Sequence, residues 1–200
     1  MNPTVLLVCS YIIGSVPFGY IAGIIKGIDV RKIGSENIGA TNILRTMGWK
    51  YGILVFILDT LKGTLPVLSA SKVGFPPYLI IACGACAILG HLFPIWLKFK
   101  GGKGVATALG VIIGINPPVA AISFAIFLAV LFATRIVSLS SLIAVFCNFM
   151  FLLTMQKHYE YTIFGAVAAT AIIIKHIPNI KRLIKNEEPR IRTGGAQNDK

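Results

Sequence analysis

Acidic side chains are scarce in this sequence, with 7 Asp and Glu in 200 residues against 19 Lys and Arg. Outside the tail they are Asp29, Glu36, Asp59 and Glu160, and no Ser-His-Asp set can be assembled from them. Cysteine is equally sparse. Cys9, Cys83, Cys86 and Cys147 all lie inside apolar runs, which argues against a disulfide framework and against a thiolate metal site. The Cys83-x-x-Cys86 pair is flanked by Ile, Ala and Gly, so it reads as packing. The first residues, MNPTVLLVCSYIIG, have no basic stretch before the apolar run and no small-residue cleavage pattern after it, so they read as a retained first span.

What the chain has in excess is hydrocarbon. Hydrophobic residues make up 56% and charged residues 13%, with a mean hydropathy of +0.80, too apolar for a soluble domain of this length. At about 20 residues per bilayer-crossing helix, that supplies six or seven spans and leaves almost nothing for a separate soluble domain. Apolar segments fall at about residues 3–25, 51–71, 76–97, 103–115, 117–133, 136–156 and 159–175. The fourth is short enough to be re-entrant, and charge decides its reading. With seven spans and the N-terminus outside, only Lys72 and Lys157 lie outside and Lys62 lies within a span, while every other basic residue faces the cytoplasm. Without the fourth crossing, the basic residues divide evenly. The expected fold is therefore an all-α integral membrane protein with seven transmembrane helices and a cytoplasmic C-terminus. Residues 1–185 form its single transmembrane domain, and 186–200 a polar, disordered tail.

On this topology the outside connections are small and the chemically rich ones are cytoplasmic. The run GSENIGATN (34–42) places Ser35, Asn37, Gly39, Thr41 and Asn42 in a tight turn, a composition whose hydroxyl, amide and backbone donors suit an anion. A helix starting at Ala40 puts Thr41 and Arg45 on one face, with the positive end of its dipole toward the turn. A solvated loop with an ordinary N-cap is the plainer alternative. The second run surrounds Lys103 with Gly101, Gly102 and Gly104, which permits close backbone approach and presents a point charge to a phosphate. Neither run is a P-loop, since Ala40 stands where the lysine belongs in one, and Leu97 and Gly104 displace the first glycine and the Ser/Thr in the other.

His176, Asn179, Lys181 and Arg182 cluster where the last span meets the cytosol, and Pro178 turns the chain there. His91 reads as a buried packing histidine. Gly19, Gly23 and Gly27, and again Gly110 and Gly114, recur every four residues as in closely packed membrane helices. Asp59 and Lys62 lie mid-span on one helix face, where mutual neutralisation accounts for both.

Taken together, GSVPFG (14–19), IGSENIGATNILRTMG (33–48), DTLKG (59–63), GHLFPIWLKFKGGKGVAT (90–107) and HIPNIKRL (176–183) resemble the bacterial acyl-phosphate:glycerol-3-phosphate acyltransferase family, in order from about residue 5 to residue 188. The resemblance implies transfer of a fatty acyl group from acyl phosphate to the 1-hydroxyl of sn-glycerol 3-phosphate. The products would be lysophosphatidic acid and inorganic phosphate, at the first acylation step of phospholipid synthesis in the bacterial inner membrane. It further implies membrane lipid as surroundings, no nucleic acid, no cofactor, no metal, and a functional link to the enzyme that makes acyl phosphate. Carried over by residue, the first motif falls on Ser35, Asn37, Gly39, Thr41, Asn42 and Arg45. The second falls on Gly101, Gly102, Lys103 and Gly104, and the third on His176 and Asn179. Glu36 occupies a slot that is usually glycine, and residues 186–188 depart from a Gly-containing ending, with little consequence expected in a tail.

The His-x-x-x-x-Asp dyad of acyl-CoA-dependent glycerolipid acyltransferases is missing, because His91, His158 and His176 are followed at the fifth position by Trp96, Ile163 and Lys181. Direct transfer between two positioned substrates, without an acyl-enzyme, is the expected mechanism. The catalytic candidates are Ser35, Arg45, Lys103 and His176. Asn37, Gly39, Thr41, Asn42, Gly101, Gly102, Gly104, Ser141 and Asn179 are expected to bind substrate. Either His176 or a substrate phosphate oxygen could take the proton, and which loop holds which phosphate stays open. A small transporter should show an inverted repeat, which is not evident, and a bare membrane interaction protein leaves the Gly/Asn/Lys-rich loops without purpose.

Overall fold

A computed structural model describes residues 2–155 and 158–191; the expectations for Lys157 and for the tail beyond residue 191 lie outside the described residues. The described chain is helical: α1 Pro3–Ser15, α2 Phe18–Ile25, α3 Ala40–Met47, α4 Trp49–Lys72, α5 Pro77–Leu92, α6 Val105–Ile115, α7 Pro117–Thr134, α8 Val137–Met155, α9 Tyr159–Lys175 and α10 Ile177–Ile184. Asn2 caps α1 by accepting from Thr4 N, with Pro3 at its first turn. Pro17 cannot donate to the preceding turn, so the first expected span is broken into α1 and α2, bent by 40°.

Among the described residues, four helices, α4, α5 with its 3-10 extension, α7 and α8, are long and apolar enough to cross a membrane, and up to six spans result if each bent pair, α1–α2 and α9–α10, counts as one. The remaining expected crossing, α6, has 11 residues and so extends only about 16 Å, roughly half a hydrocarbon core. It is packed inside rather than facing lipid, with Val111 and Thr107 fully buried.

Small residues set these contacts. A Cβ on Gly63 would strike the Thr107 carbonyl, and one on Gly110 the Thr60 carbonyl, so α4 and α6 meet backbone to backbone. Gly14 and Gly90 do the same for α1 and α5. The expected helix-pairing repeat at Gly19, Gly23 and Gly27 is corrected. Gly19 and Gly23 pack on the following loop at Ile38 and Ile28, and Gly27 has no neighbour within reach. A small core of Val30, Ile38, Ile43, Val55 and Leu97 pins that loop and α3 against α4, fixing the first motif in space.

Candidate active site

One cavity collects side chains from all three motifs. Ser35, Asn37, Gly39, Thr41, Asn42, Arg45, Lys103, Gly104, Ser141, His176 and Asn179 line it, although the third group is separated from the first by more than a hundred residues of sequence. Two helix N-termini border it, α3 through Ala40 and Thr41 and α6 through Val105 and Ala106, and a helix start carries amides without helical partners and the positive end of the dipole. The α3 start at Ala40 gives Thr41 and Arg45 the shared face that the sequence predicts. Glu36 adopts φ 57, the left-handed conformation that glycine takes at least cost.

The cations of the mouth are poorly neutralised. Arg45 donates through Nη2 to Pro189 O at 3.1 Å, while its Nε is buried without a partner. Burial pushes its pKa down, with Glu188 opposing and Arg182 adding to the shift. Lys103 donates to Asn179 Oδ1 at 2.6 Å. Burial, offset by Glu188 and reinforced by Arg182 and Arg45, lowers its ammonium to about 8. His176 is buried and its pKa falls to about 4, chiefly by burial, with the Ile172 backbone bond opposing. Its Nδ1 lies 2.8 Å from Ile172 O, and a carbonyl can only accept, so Nδ1 carries the proton and Nε2 keeps a lone pair.

Three expectations are corrected. Gly101 and Gly102 do not line the cavity; their amides donate to Leu92 O at 3.2 Å and His91 O at 3.1 Å, so they hold the loop to the end of α5. Asn42 lines the cavity, but its polar atoms are consumed by the fold: Oδ1 accepts from Ser35 N, and Nδ2 donates to Val30 O and Ile33 O. It ties the loop to α3. Finally, the tail does not start as a free segment at residue 186. Glu188 turns back into the cavity and accepts from Ser138 Oγ at 2.8 Å, Asn179 Nδ2 at 2.6 Å and Arg182 Nε at 2.7 Å. Burial raises its pKa, but these bonds outweigh that and keep the carboxyl ionised. Ile191 N then donates to Arg135 O.

Sequence reasoning therefore missed Glu188 and Ser138, and also Asp59 and His91, which border the cavity. The available signals were an acidic pair inside a basic tail and two further serines next to Ser141. Toward the membrane interior the lining becomes apolar. Phe56, Phe124 and Phe127 stack at 5.9 and 6.0 Å, facing Ala144, Val145, Phe164 and Ala168. At the far end Asn148 donates to Ser123 at 3.2 Å beside Gly165. Gly165 lies eleven residues before His176 on α9, a depth of about 16 Å.

The profile of the family described as Glycerol-3-phosphate acyltransferase matches residues 4–186. The chain is 41% identical over 191 residues to the glycerol-3-phosphate acyltransferase of Aquifex aeolicus, covering 95% of this chain and 100% of that one. It is 41% identical over 192 residues to that of Geobacter sulfurreducens, covering 96% and 99%. The fold is similar to the crystal structure of PlsY (YgiH), an integral membrane glycerol 3-phosphate acyltransferase, in its glycerol 3-phosphate form. That match has a TM-score of 0.92 at 40% identity over 95% of this chain and 96% of that one. The lysophosphatidic acid form gives 0.90 over 95% of each.

Proposed function

The chain belongs to the glycerol-3-phosphate acyltransferase family, and we propose that it moves a fatty acyl group from acyl phosphate to the 1-hydroxyl of sn-glycerol 3-phosphate, releasing lysophosphatidic acid and inorganic phosphate. The observation that carries this reading is the continuity of a cationic mouth, with Arg45 and Lys103, and an apolar groove walled by Phe56, Phe124 and Phe127. Two phosphate heads and one acyl tail need that combination.

In this reading the acyl-phosphate head occupies the Ser35 to Thr41 turn, with its chain along the phenylalanine wall. Glycerol 3-phosphate is held by Arg45, Lys103 and Asn179, with Ser141 beside it. The 1-hydroxyl oxygen attacks the acyl carbon, the bond from that carbon to the phosphate oxygen breaks, and phosphate leaves. A histidine titrating at about 4 is a weaker base than a phosphate dianion, whose conjugate acid titrates at about 6. The 1-hydroxyl therefore donates its hydrogen bond, and then its proton, to a phosphate oxygen, and His176 Nε2 holds the acceptor by accepting from the neighbouring 2-hydroxyl. Because acyl phosphate is already activated, positioning and charge stabilisation suffice.

The topology that suits this chemistry has seven crossings, with the N-terminus outside and the C-terminus in the cytoplasm of a bacterial inner membrane. The short α6 starts from a glycine-lysine loop recessed into the bilayer interface, which brings Lys103 toward the depth at which acyl chains begin. The test is donor choice in purified protein. Acyl phosphate with labelled glycerol 3-phosphate should yield labelled lysophosphatidic acid, whereas acyl-CoA should not replace it. No product with either donor removes the enzyme reading, and equal rates with acyl-CoA remove the donor assignment.

A further inference from the structure

Beneath the glycine-lysine loop lies a charged cluster that the proposed chemistry does not use. Asp59 Oδ1 is 2.7 Å from Lys62 Nζ and 3.7 Å from His91 Nδ1, and all three residues are buried. Lys62 also donates to Val16 O at 2.9 Å, at the break between α1 and α2. The carboxylate thus meets the ammonium directly, the imidazole packs beside it at a distance too long for a hydrogen bond, and the ammonium is anchored to the break that joins α1 and α2.

The imidazole in turn touches the loop. Gly102 N donates to His91 O at 3.1 Å, and a Cβ on Gly102 would collide with Nε2 of the ring and lie 2.9 and 3.1 Å from its two carbons beside that nitrogen. Gly102 is therefore glycine because the ring fills the space a side chain would need, and the ring cannot swing away while it is enclosed beside Asp59. The next residue is Lys103, whose ammonium reaches Asn179 across the mouth. The position of the ring fixes where the loop can lie, and the loop fixes where the ammonium can reach.

We propose that His91, set in place by Asp59 and Lys62, is a positioning residue that fixes the height of Gly102 and so the reach of Lys103 into the anion site. Its kinetic readout rests on the acyl-transfer reading above. A histidine that served only to stabilise the fold would lower melting temperature and the kinetics of both substrates together, without a selective effect on the KM for glycerol 3-phosphate.

The experiment is a double-mutant cycle on the full-length purified protein, with Gly102→Ala, His91→Ala and both together. Melting temperature and the KM for each substrate are measured in each. Gly102→Ala should raise the KM for glycerol 3-phosphate about tenfold, and adding His91→Ala should return it to within about threefold of His91→Ala alone, because the methyl then has room. The KM for acyl phosphate should move less. Additive losses, or equal losses for both substrates that track the melting temperature, overturn the proposal. A second measurement keeps it testable if the wild type makes no lysophosphatidic acid, an outcome that would fault the acyl-transfer reading instead. Amide hydrogen exchange at residues 101–104 should be faster in His91→Ala than in wild type while α4 and α5 stay protected, and unchanged exchange overturns the positioning role.

Discussion

Two groups of charge flank the glycine-lysine loop, one buried and one only partly buried, and they are built differently. Below it, Asp59 and Lys62 meet at 2.7 Å and cancel. Above it, Arg45, Lys103 and Arg182 share the single carboxylate of Glu188, and Arg45 keeps a buried Nε without a partner. The lower pair is neutral within the protein, although His91 Nδ1 beside it has no hydrogen-bond partner, while the upper group carries excess positive charge beside two helix N-termini that border a cavity. Buried charge as such does not mark a site; charge left unmatched by the protein does, because burying it is costly unless a ligand completes it.

The largest effect should come from removing the unmatched charge. Arg45→Ala and Lys103→Ala should each lower kcat/KM for lysophosphatidic acid formation by about a hundredfold or more, with melting temperatures near wild type. If either variant stays within a few-fold of wild type in a purified assay, the division between the two groups is wrong.

The matched pair should respond in the opposite sense. Asp59→Ala leaves a buried ammonium alone and should cost about 3–5 kcal/mol of stability, read as a large drop in melting temperature. Replacing both partners by apolar residues, Asp59→Leu with Lys62→Met, should recover most of it. Failure to recover would mean that the pair is needed as charge.

A pH titration sharpens the contrast further. Since the Lys103 ammonium titrates at about 8, kcat/KM, which reports the free enzyme, should fall as pH rises through 8, and Lys103→Arg should shift that fall to higher pH. Stability runs the other way. The folded pKa lies below the unfolded one, so between the two the unfolded chain binds more protons and the contribution of Lys103 to stability rises with pH. A profile flat from pH 7 to 10 would contradict the burial of this ammonium.

The smallest effect belongs to the uncharged wall. Ala168→Leu should narrow the apolar groove and shift preference toward shorter acyl phosphates by about three- to tenfold, leaving the KM for glycerol 3-phosphate unchanged. Competition between donors of two chain lengths measures it directly.

How far the sequence anticipates this site depends on the range of the contact. Thr41 and Arg45 are four apart on one helix, and Lys103 sits in its own glycine loop, so local spacing reveals both. Gly101, Gly102 and Asn42 are tied into the fold for a common reason. A glycine loop and a loop asparagine offer donors to whatever lies nearest, and here the nearest acceptors are the end of α5 and the 30–33 turn, visible only after folding. Glu188 escapes detection because its partners lie on α8 and α10, and the acidic pair in the basic tail does not by itself say which element it returns to. The helical segments themselves are legible from hydropathy. The brevity of α6 is already visible in the short 103–115 segment, whereas the break at Pro17 is a local backbone effect that an apolar average smooths over.

The central claim, direct transfer between two substrates held by the protein's own cations, is tested most directly in a single turnover. Stoichiometric protein is mixed with labelled acyl phosphate alone, and one portion is analysed by intact mass before glycerol 3-phosphate is added to the rest. The account predicts an unmodified chain and no phosphate burst before the acceptor arrives, followed by phosphate and labelled lysophosphatidic acid in equal amounts. A chain heavier by one acyl group, or phosphate released before the acceptor, would contradict it.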